Sequence, residues 1–257
     1  MNRIEKLFQD KEQRILSIYF TAGFPELNDT IRILESLQHA DTDMVEIGIP
    51  FSDSLADGPV IQEANMRALH NGMSLKLLFA QLRGFRDKIN MPVILMGSLN
   101  PVMQFGIESF LRSCKDTGID GVILPDLPVD EYEKNYRTLF ESQDIYCIFL
   151  VTPETSNERL RKIDSLSGGF IYAVSSSSTT GKEKDMNKQE GYFQKLRQMD
   201  LKNPVLVGFG IKDKNTFDTA CQYTNGAVIG TAFIKALQTG NNVEEHINSF
   251  IKGIKAR

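Results

Sequence analysis

Glu46, Asp53 and Asp57 share the stretch Val45-Glu46-Ile47-Gly48-Ile49-Pro50-Phe51-Ser52-Asp53-Ser54-Leu55-Ala56-Asp57-Gly58-Pro59. Glu46 is the one charged residue in the apolar run Met44 to Ile49. Such a run reads as a strand buried on both faces. A carboxylate inside it must be paired, neutralised or used, because an isolated buried charge costs too much. The run breaks at Pro50 into a loop carrying Asp53 and Asp57, and Pro59 suits the first turn of a following helix. One acid therefore sits near a strand end and another on the loop after it. Two carboxyls in unlike environments have separated pKa values, which is how acid and base roles are divided. The same pattern also fits a purely structural reading, with Glu46 in an ion pair and the loop acids solvated.

The elements that must position these groups follow from periodicity. Residues 2–10 read as a short amphipathic helix. Strands are expected at Ile15–Phe20, Met44–Ile49, Pro92–Met96, Gly121–Leu124, Ile145–Val151, Gly169–Val174, Pro204–Val207 and Ala227–Ile229. Helices are expected over a segment with Ile31, Ile33, Leu34 and Leu37, then Val60–His70 and Leu75–Ile89. Further helices carry Ile107, Phe110, Leu111 and Cys114, then Tyr132, Tyr136, Leu139 and Phe140. Others span Thr155–Ile163, 187–199 and 213–222, and a last one carries Val243, Ile247, Phe250, Ile251 and Ile254. Eight strand-then-helix units in 257 residues predict an α/β fold. The expected form is a single (β/α)8 TIM barrel over residues 1–257, with extra N-terminal and C-terminal helices. An open doubly wound sheet is the structural competitor.

Composition narrows the function. The chain is 41% hydrophobic and 24% charged with a formal net charge of −4, which gives no reason to expect a nucleic-acid or anionic-membrane surface. The charged N-terminal stretch lacks the apolar core of a signal peptide, and no apolar run is long enough to span a membrane. Cys114, Cys147 and Cys221 are far apart in apolar contexts, as buried thiols of a reducing compartment are. A cytoplasmic protein is expected.

In barrels of this kind the chemistry sits at the C-terminal strand ends, and phosphate is often held after strands seven and eight. Gly208-Phe209-Gly210 and Gly230-Thr231 fall at those places, and Thr180-Gly181 after strand six offers a third arm. Glycines let backbone approach an anion, and a helix N-terminus offers free N–H groups. Each pair alone reads as a plain turn; together and in this order they favour a phosphate site. None of the expected strands contains Lys, which argues against a Schiff-base aldolase. His39, His70 and His246 all fall on helices or helix ends, so no metal is expected.

The whole chain resembles the tryptophan synthase alpha chain family. The resemblance rests on Tyr19-Phe20-Thr21-Ala22-Gly23-Phe24-Pro25, on Glu46 to Pro59, on Pro125-Asp126-Leu127-Pro128 and on Gly208-Phe209-Gly210-Ile211. It implies a (β/α)8 barrel that cleaves indole-3-glycerol phosphate to indole and glyceraldehyde 3-phosphate. It implies Glu46 as general acid/base and Asp57 as the second carboxylate. Tyr19, Met96, Ile123, Leu150, Tyr172, Thr180 and Phe209 would bind substrate, and Gly181, Gly210, Gly230 and Thr231 its phosphate. No cofactor is implied in this chain. Pyridoxal phosphate would belong to a beta chain, the expected partner in an α2β2 heterotetramer, docked through the loops around Pro50, Asp53, Pro101 and Asp126. The alternatives are a catalytically weak docking subunit and a stand-alone indole-releasing lyase. Three departures from the family pattern stand out. Ser54 replaces a proline, Ser98 a tyrosine, and 175–181 lacks an arginine and an inner glycine. A mobile lid is expected at that last loop, and a less rigid loop at Ser54.

Overall fold

Short runs of Val, Ile and Leu with no charged outer face can be buried only if both faces of the sheet are covered. The computed structural model, which describes residues 1–54, 57–174, 186–208, 210–238 and 242–256, places them accordingly. The strands are β1 Ile15–Thr21, β2 Met44–Gly48, β3 Val93–Met96, β4 Gly121–Ile123, β5 Tyr146–Ile148, β6 Leu150–Val151, β7 Ile171–Val174, β8 Val205–Gly208 and β9 Gly226–Ile229. All neighbouring strands are parallel, in the order β5-β4-β3-β2-β1-β9-β8-β7-β6. The two ends of that order, β5 and β6, are consecutive in the chain and separated only by Phe149. The expected fifth strand is therefore both edges of the sheet. It pairs with β4 before Phe149 and with β7 after it, and the Phe149 carbonyl accepts the Tyr172 N–H at 3.0 Å. The sheet closes into a barrel at that change of partner, which removes its open edges.

The pleat sends alternate side chains to opposite faces. On β1, Leu16, Ile18 and Phe20 pack outward against Ile33, Leu34 and Leu37 of the helix Asp29–His39. Ile15 and Tyr19 join a separate interior cluster with Met44, Ile94, Ile123 and Tyr172. The outer layer is the larger reservoir of burial, with each fully buried Leu or Ile stabilising by about 1.5–3 kcal/mol.

The lower end of the barrel is stoppered by the N-terminal helix Arg3–Asp10, whose Ile4 is wholly buried in the interior cluster. Asn2 caps this helix through the Ile4 N–H and donates to the Asp120 carbonyl at 2.9 Å. Buried Asp120 pairs with Arg3 at 3.0 Å and Arg86 at 2.5 Å, and also accepts the Val93 N–H.

Three elements differ from expectation. The helix expected over Leu75–Ile89 ends at Gln81, because Gly84 takes a left-handed φ of +72° and restarts the chain as a short 3-10 turn, Phe85–Asp87. The segment 97–101, which by its Gly, Ser, Asn and Pro reads as a loop, opens a helix, Leu99–Phe105. Pro101 falls in its first turn, where a missing N–H costs nothing, and Asp126 accepts the Leu99 N–H at 2.8 Å. The helix expected across Tyr132–Phe140 is interrupted by a π segment, Tyr132–Tyr136. After β9 come two helices, Thr231–Leu237 and Val243–Lys255, the second of them the expected extra C-terminal helix. Among the described residues no helix is long and apolar enough to cross a membrane.

Candidate active site

Glu46 is the middle residue of β2, and its neighbours two positions away, Met44 and Gly48, fix the direction of its side chain into the barrel. The side chain is wholly buried. The Ser17 hydroxyl on β1 donates to Glu46 Oε1 at 3.1 Å. Oε2 is also buried and has no hydrogen-bond partner among the described residues. Burial pushes the carboxyl up to about 8 against the opposing Ser17 bond. Desolvation penalises the charged form, so at neutral pH Glu46 is held as a neutral acid. Among the described residues it has no ion-pair partner, which the structural alternative would require.

Asp57 follows on the loop after β2 and is held by the next helix, Pro59–His70. Asn65 lies on the buried face of that helix with Ile61, Ala64 and Ala68. Its amide donates at 3.1 Å to both Asp57 Oδ2 and Ser54 Oγ, and its carbonyl accepts the Thr21 hydroxyl at 3.3 Å. Burial raises the Asp57 pKa, and hydrogen bonds from Ser54 and Asn65 pull it back. Ser54 thus supplies a hydroxyl to the carboxylate that a proline there would lack. The two acids differ as the sequence suggested: one is buried beneath the cavity with Ser17 as its donor, the other lines the cavity and is held by Asn65.

Two tyrosines lie near both. Tyr19 pairs with Glu46 across β1 and β2, and Tyr172 lies on β7. The hydroxyl of each rests where a glycine has no side chain: a Cβ on Gly48 would overlap Tyr19 Oη, and one on Gly208 would overlap Tyr172 Oη. Burial raises both phenols first, and the charges of Asp57 and Glu46 raise them further. Both rings are therefore neutral and feel both carboxyls.

A cavity of about 420 Å³ opens above these groups, lined by Tyr19, Asp57, Ile61, Met96, Tyr172 and Val228. Gly210, Gly230, Thr231, Lys212 and Lys235 line it too. The backbone N–H groups in the first turn of Thr231–Leu237 have no helical acceptors. A second cavity of about 330 Å³ shares Tyr19, Asp57 and Met96 with the first and continues past Phe51, Asp53, Ser98 and Asp126. Glu46 itself lies beneath the surface of both. Ile123 and Leu150 belong to the same interior cluster without reaching the wall of the larger cavity. Thr180, Gly181 and Phe209, and with them the expected lid at 175–181, lie outside the described residues.

Ser17, Asn65, Lys212 and Lys235 did not emerge from the sequence. Asn65 carried a signal: it is the polar residue in an apolar helical stripe. Among the described residues no cluster of His, Cys, Asp or Glu has the arrangement of a metal site. The arrangement offers a neutral acid, a fixed anion, an apolar slot for a flat ring, and glycines with two lysines for an anion.

A family model described as tryptophan synthase alpha chain matches residues 5–255. A tryptophan synthase alpha chain from Flavobacterium psychrophilum is 53% identical over 255 residues, covering 99% of this chain and 100% of that one. The Parabacteroides distasonis alpha chain is 51% identical over 256 residues, with 99% and 100% covered. Among solved structures, the alpha subunit from Legionella pneumophila superposes with a TM-score of 0.90 at 31% identity, covering 99% of this chain and 97% of that one. A chain of the tryptophan synthase complex from Pyrococcus furiosus superposes with a TM-score of 0.83 at 33% identity, covering 93% and 96%.

Proposed function

The chain belongs to the tryptophan synthase alpha chain family, a lyase of indole-3-glycerol phosphate, and from that premise we propose how its residues divide the reaction. Glu46, neutral at physiological pH, gives its proton to indole C3. The added proton leaves positive charge on the ring, and Asp57 stabilises that charge near the ring N–H. Glu46, now a carboxylate, takes the proton of the side-chain hydroxyl on the carbon bonded to C3. The carbon–carbon bond breaks as that carbon becomes the aldehyde of glyceraldehyde 3-phosphate. The bonding pair returns to the ring, which leaves as neutral indole, and Glu46 ends protonated as it began. One carboxyl both gives and takes a proton.

Tyr19, Met96 and Tyr172, joined by Ile61 and Val228, wall the ring, with Ile123 and Leu150 packed behind. The resemblance adds Thr180 and Phe209. Gly210, Gly230 and Thr231 hold the phosphate, Gly181 adds a further contact by resemblance, and Lys212 and Lys235 contribute charge. The chain needs no cofactor of its own. Its partner is a beta chain that carries pyridoxal phosphate, in an α2β2 assembly in the cytoplasm. The Pyrococcus furiosus relative was solved as a tryptophan synthase complex, which supports that partner. The smaller cavity gives indole a way out beside the loops around Asp53 and Asp126, where the beta chain would dock. Family membership favours this reading over a catalytically weak docking subunit or a stand-alone lyase.

The observation that carries the assignment is Glu46: wholly buried, one oxygen held by Ser17 and the other without a partner among the described residues, with Asp57 on the cavity wall above. Purified chain incubated with indole-3-glycerol phosphate should release indole, faster with a beta chain present, and Glu46→Gln should release none while folding normally. Normal turnover by that variant would end the assignment.

A further inference from the structure

The interior faces of β1 and β2 place Ile15, Ser17 and Tyr19 beside Met44, Glu46 and Gly48. Ser17 is aligned with Met44 on one side and Val228 on the other. It is wholly buried. A hydroxyl among such neighbours loses water and gains nothing unless it finds an acceptor. Among the described residues its oxygen has one partner, Glu46 Oε1.

We propose that Ser17 is a positioning residue for the cleavage: its hydroxyl locks the rotation of the Glu46 carboxyl and makes Oε2 the oxygen that gives and takes the proton. The proposal rests on the reading of Glu46 as the proton shuttle. A neutral carboxyl has one protonated and one carbonyl-like oxygen, and the carbonyl-like oxygen is the better acceptor. Donation from Ser17 therefore assigns Oε1 to that role and leaves the proton on Oε2, the oxygen with no partner among the described residues. When Glu46 is ionised the same bond stabilises the charge on the carboxylate, so Ser17 also favours the return step. The other titratable groups facing this carboxyl are Tyr19 from β1, Tyr172 from β7 and Asp57 from the loop after β2. The two phenols stay neutral across the working range, so Asp57 is the one standing charge among the described residues there.

The test is steady-state cleavage of indole-3-glycerol phosphate from pH 6 to pH 9.5 by the full chain carrying Ser17→Ala, Ser17→Val or Ser17→Thr. Valine and threonine have the same shape and differ in the hydroxyl. Losing the bond should lower kcat about tenfold, the effect of roughly one hydrogen bond, with KM nearly unchanged, in the alanine and valine variants. In both, the alkaline limb of the kcat profile should move to higher pH, because the carboxylate has lost its donor. Threonine should restore rate and limb together. Wild-type kcat and an unmoved limb in the valine variant would overturn the proposal, as would equal impairment of valine and threonine. Glu46→Gln run alongside separates the two failures: if it turns over normally the shuttle reading itself falls, and if it is dead while valine is normal only Ser17's role does.

Discussion

Replacing Glu46 by Gln should stabilise the fold at the same time as it stops the reaction, and the gain should grow with pH. Burial lifts the Glu46 carboxyl from an ordinary 4.5 to about 8. Between those limits the native protein holds a proton that the unfolded chain releases. Stability falls with rising pH wherever the native state binds more protons. Each pH unit in that window costs the native state about 1.4 kcal/mol, so wild type should lose roughly 4 kcal/mol between pH 5 and pH 8 that the glutamine variant keeps. Glutamine matches the carboxyl in shape and can accept from Ser17 as Glu46 does. Among the described residues its amide donor meets the same lack of a partner that the acid proton meets, so these terms largely cancel. Asp57 and the other titrating groups are common to both proteins and drop out of the difference. Urea unfolding of both at half-unit pH intervals, read by two optical probes, measures that difference. A flat difference across the window would refute the reasoning, because it would mean the buried carboxyl titrates as an exposed one does. A difference of the opposite sign would place a cation beside it.

Other perturbations have separate readouts. Asp57→Asn should lower kcat by about 10²–10³, the usual loss when one charge-stabilising group is removed, with an unchanged unfolding midpoint. Lys235→Met should raise KM for indole-3-glycerol phosphate several-fold and weaken inhibition by inorganic phosphate, leaving kcat near wild type; Lys235 lines the cavity with the glycines. Gly48→Ala should displace the Tyr19 ring, since the new methyl would overlap its hydroxyl, and lower kcat/KM; adding Tyr19→Phe should recover part of the loss. Asp120→Asn should destabilise by about 3–5 kcal/mol, because Arg86 and Arg3 would be left facing a neutral side chain, yet change kcat/KM little, the group lying at the opposite end of the barrel.

The barrel was legible because its strands are apolar on both faces and recur at a steady spacing. Glu46 and Asp57 were legible because a charge inside such a run is costly to keep, and a second charge on the loop that leaves it falls where barrels do their chemistry. What escaped was set by partners distant in sequence. Ser17 looks like an ordinary strand residue until Glu46, on the neighbouring strand, is seen to be its acceptor. Asn65 takes its meaning from Ser54, Asp57 and Thr21 together. The helix Leu99–Phe105 was hidden by Asn100-Pro101, which reads as a turn until Asp126 is found at the Leu99 N–H. The break after Gln81 shows how one left-handed glycine, Gly84, overrides a helical pattern on both sides of it. Whether a strand is one element or two, as at Phe149, depends on which neighbours it meets, and a single chain's pattern carries no record of that.

Each pocket tyrosine fills the space a glycine gives up, Tyr19 over Gly48 and Tyr172 over Gly208. Ring and glycine therefore form one inherited unit. A larger residue at either glycine pushes its tyrosine ring aside unless that ring has first been trimmed, so one order of changes disturbs the slot less than the other. Reshaping this slot for a different aromatic would begin by shrinking a ring and only then fill the freed volume from the strand beneath.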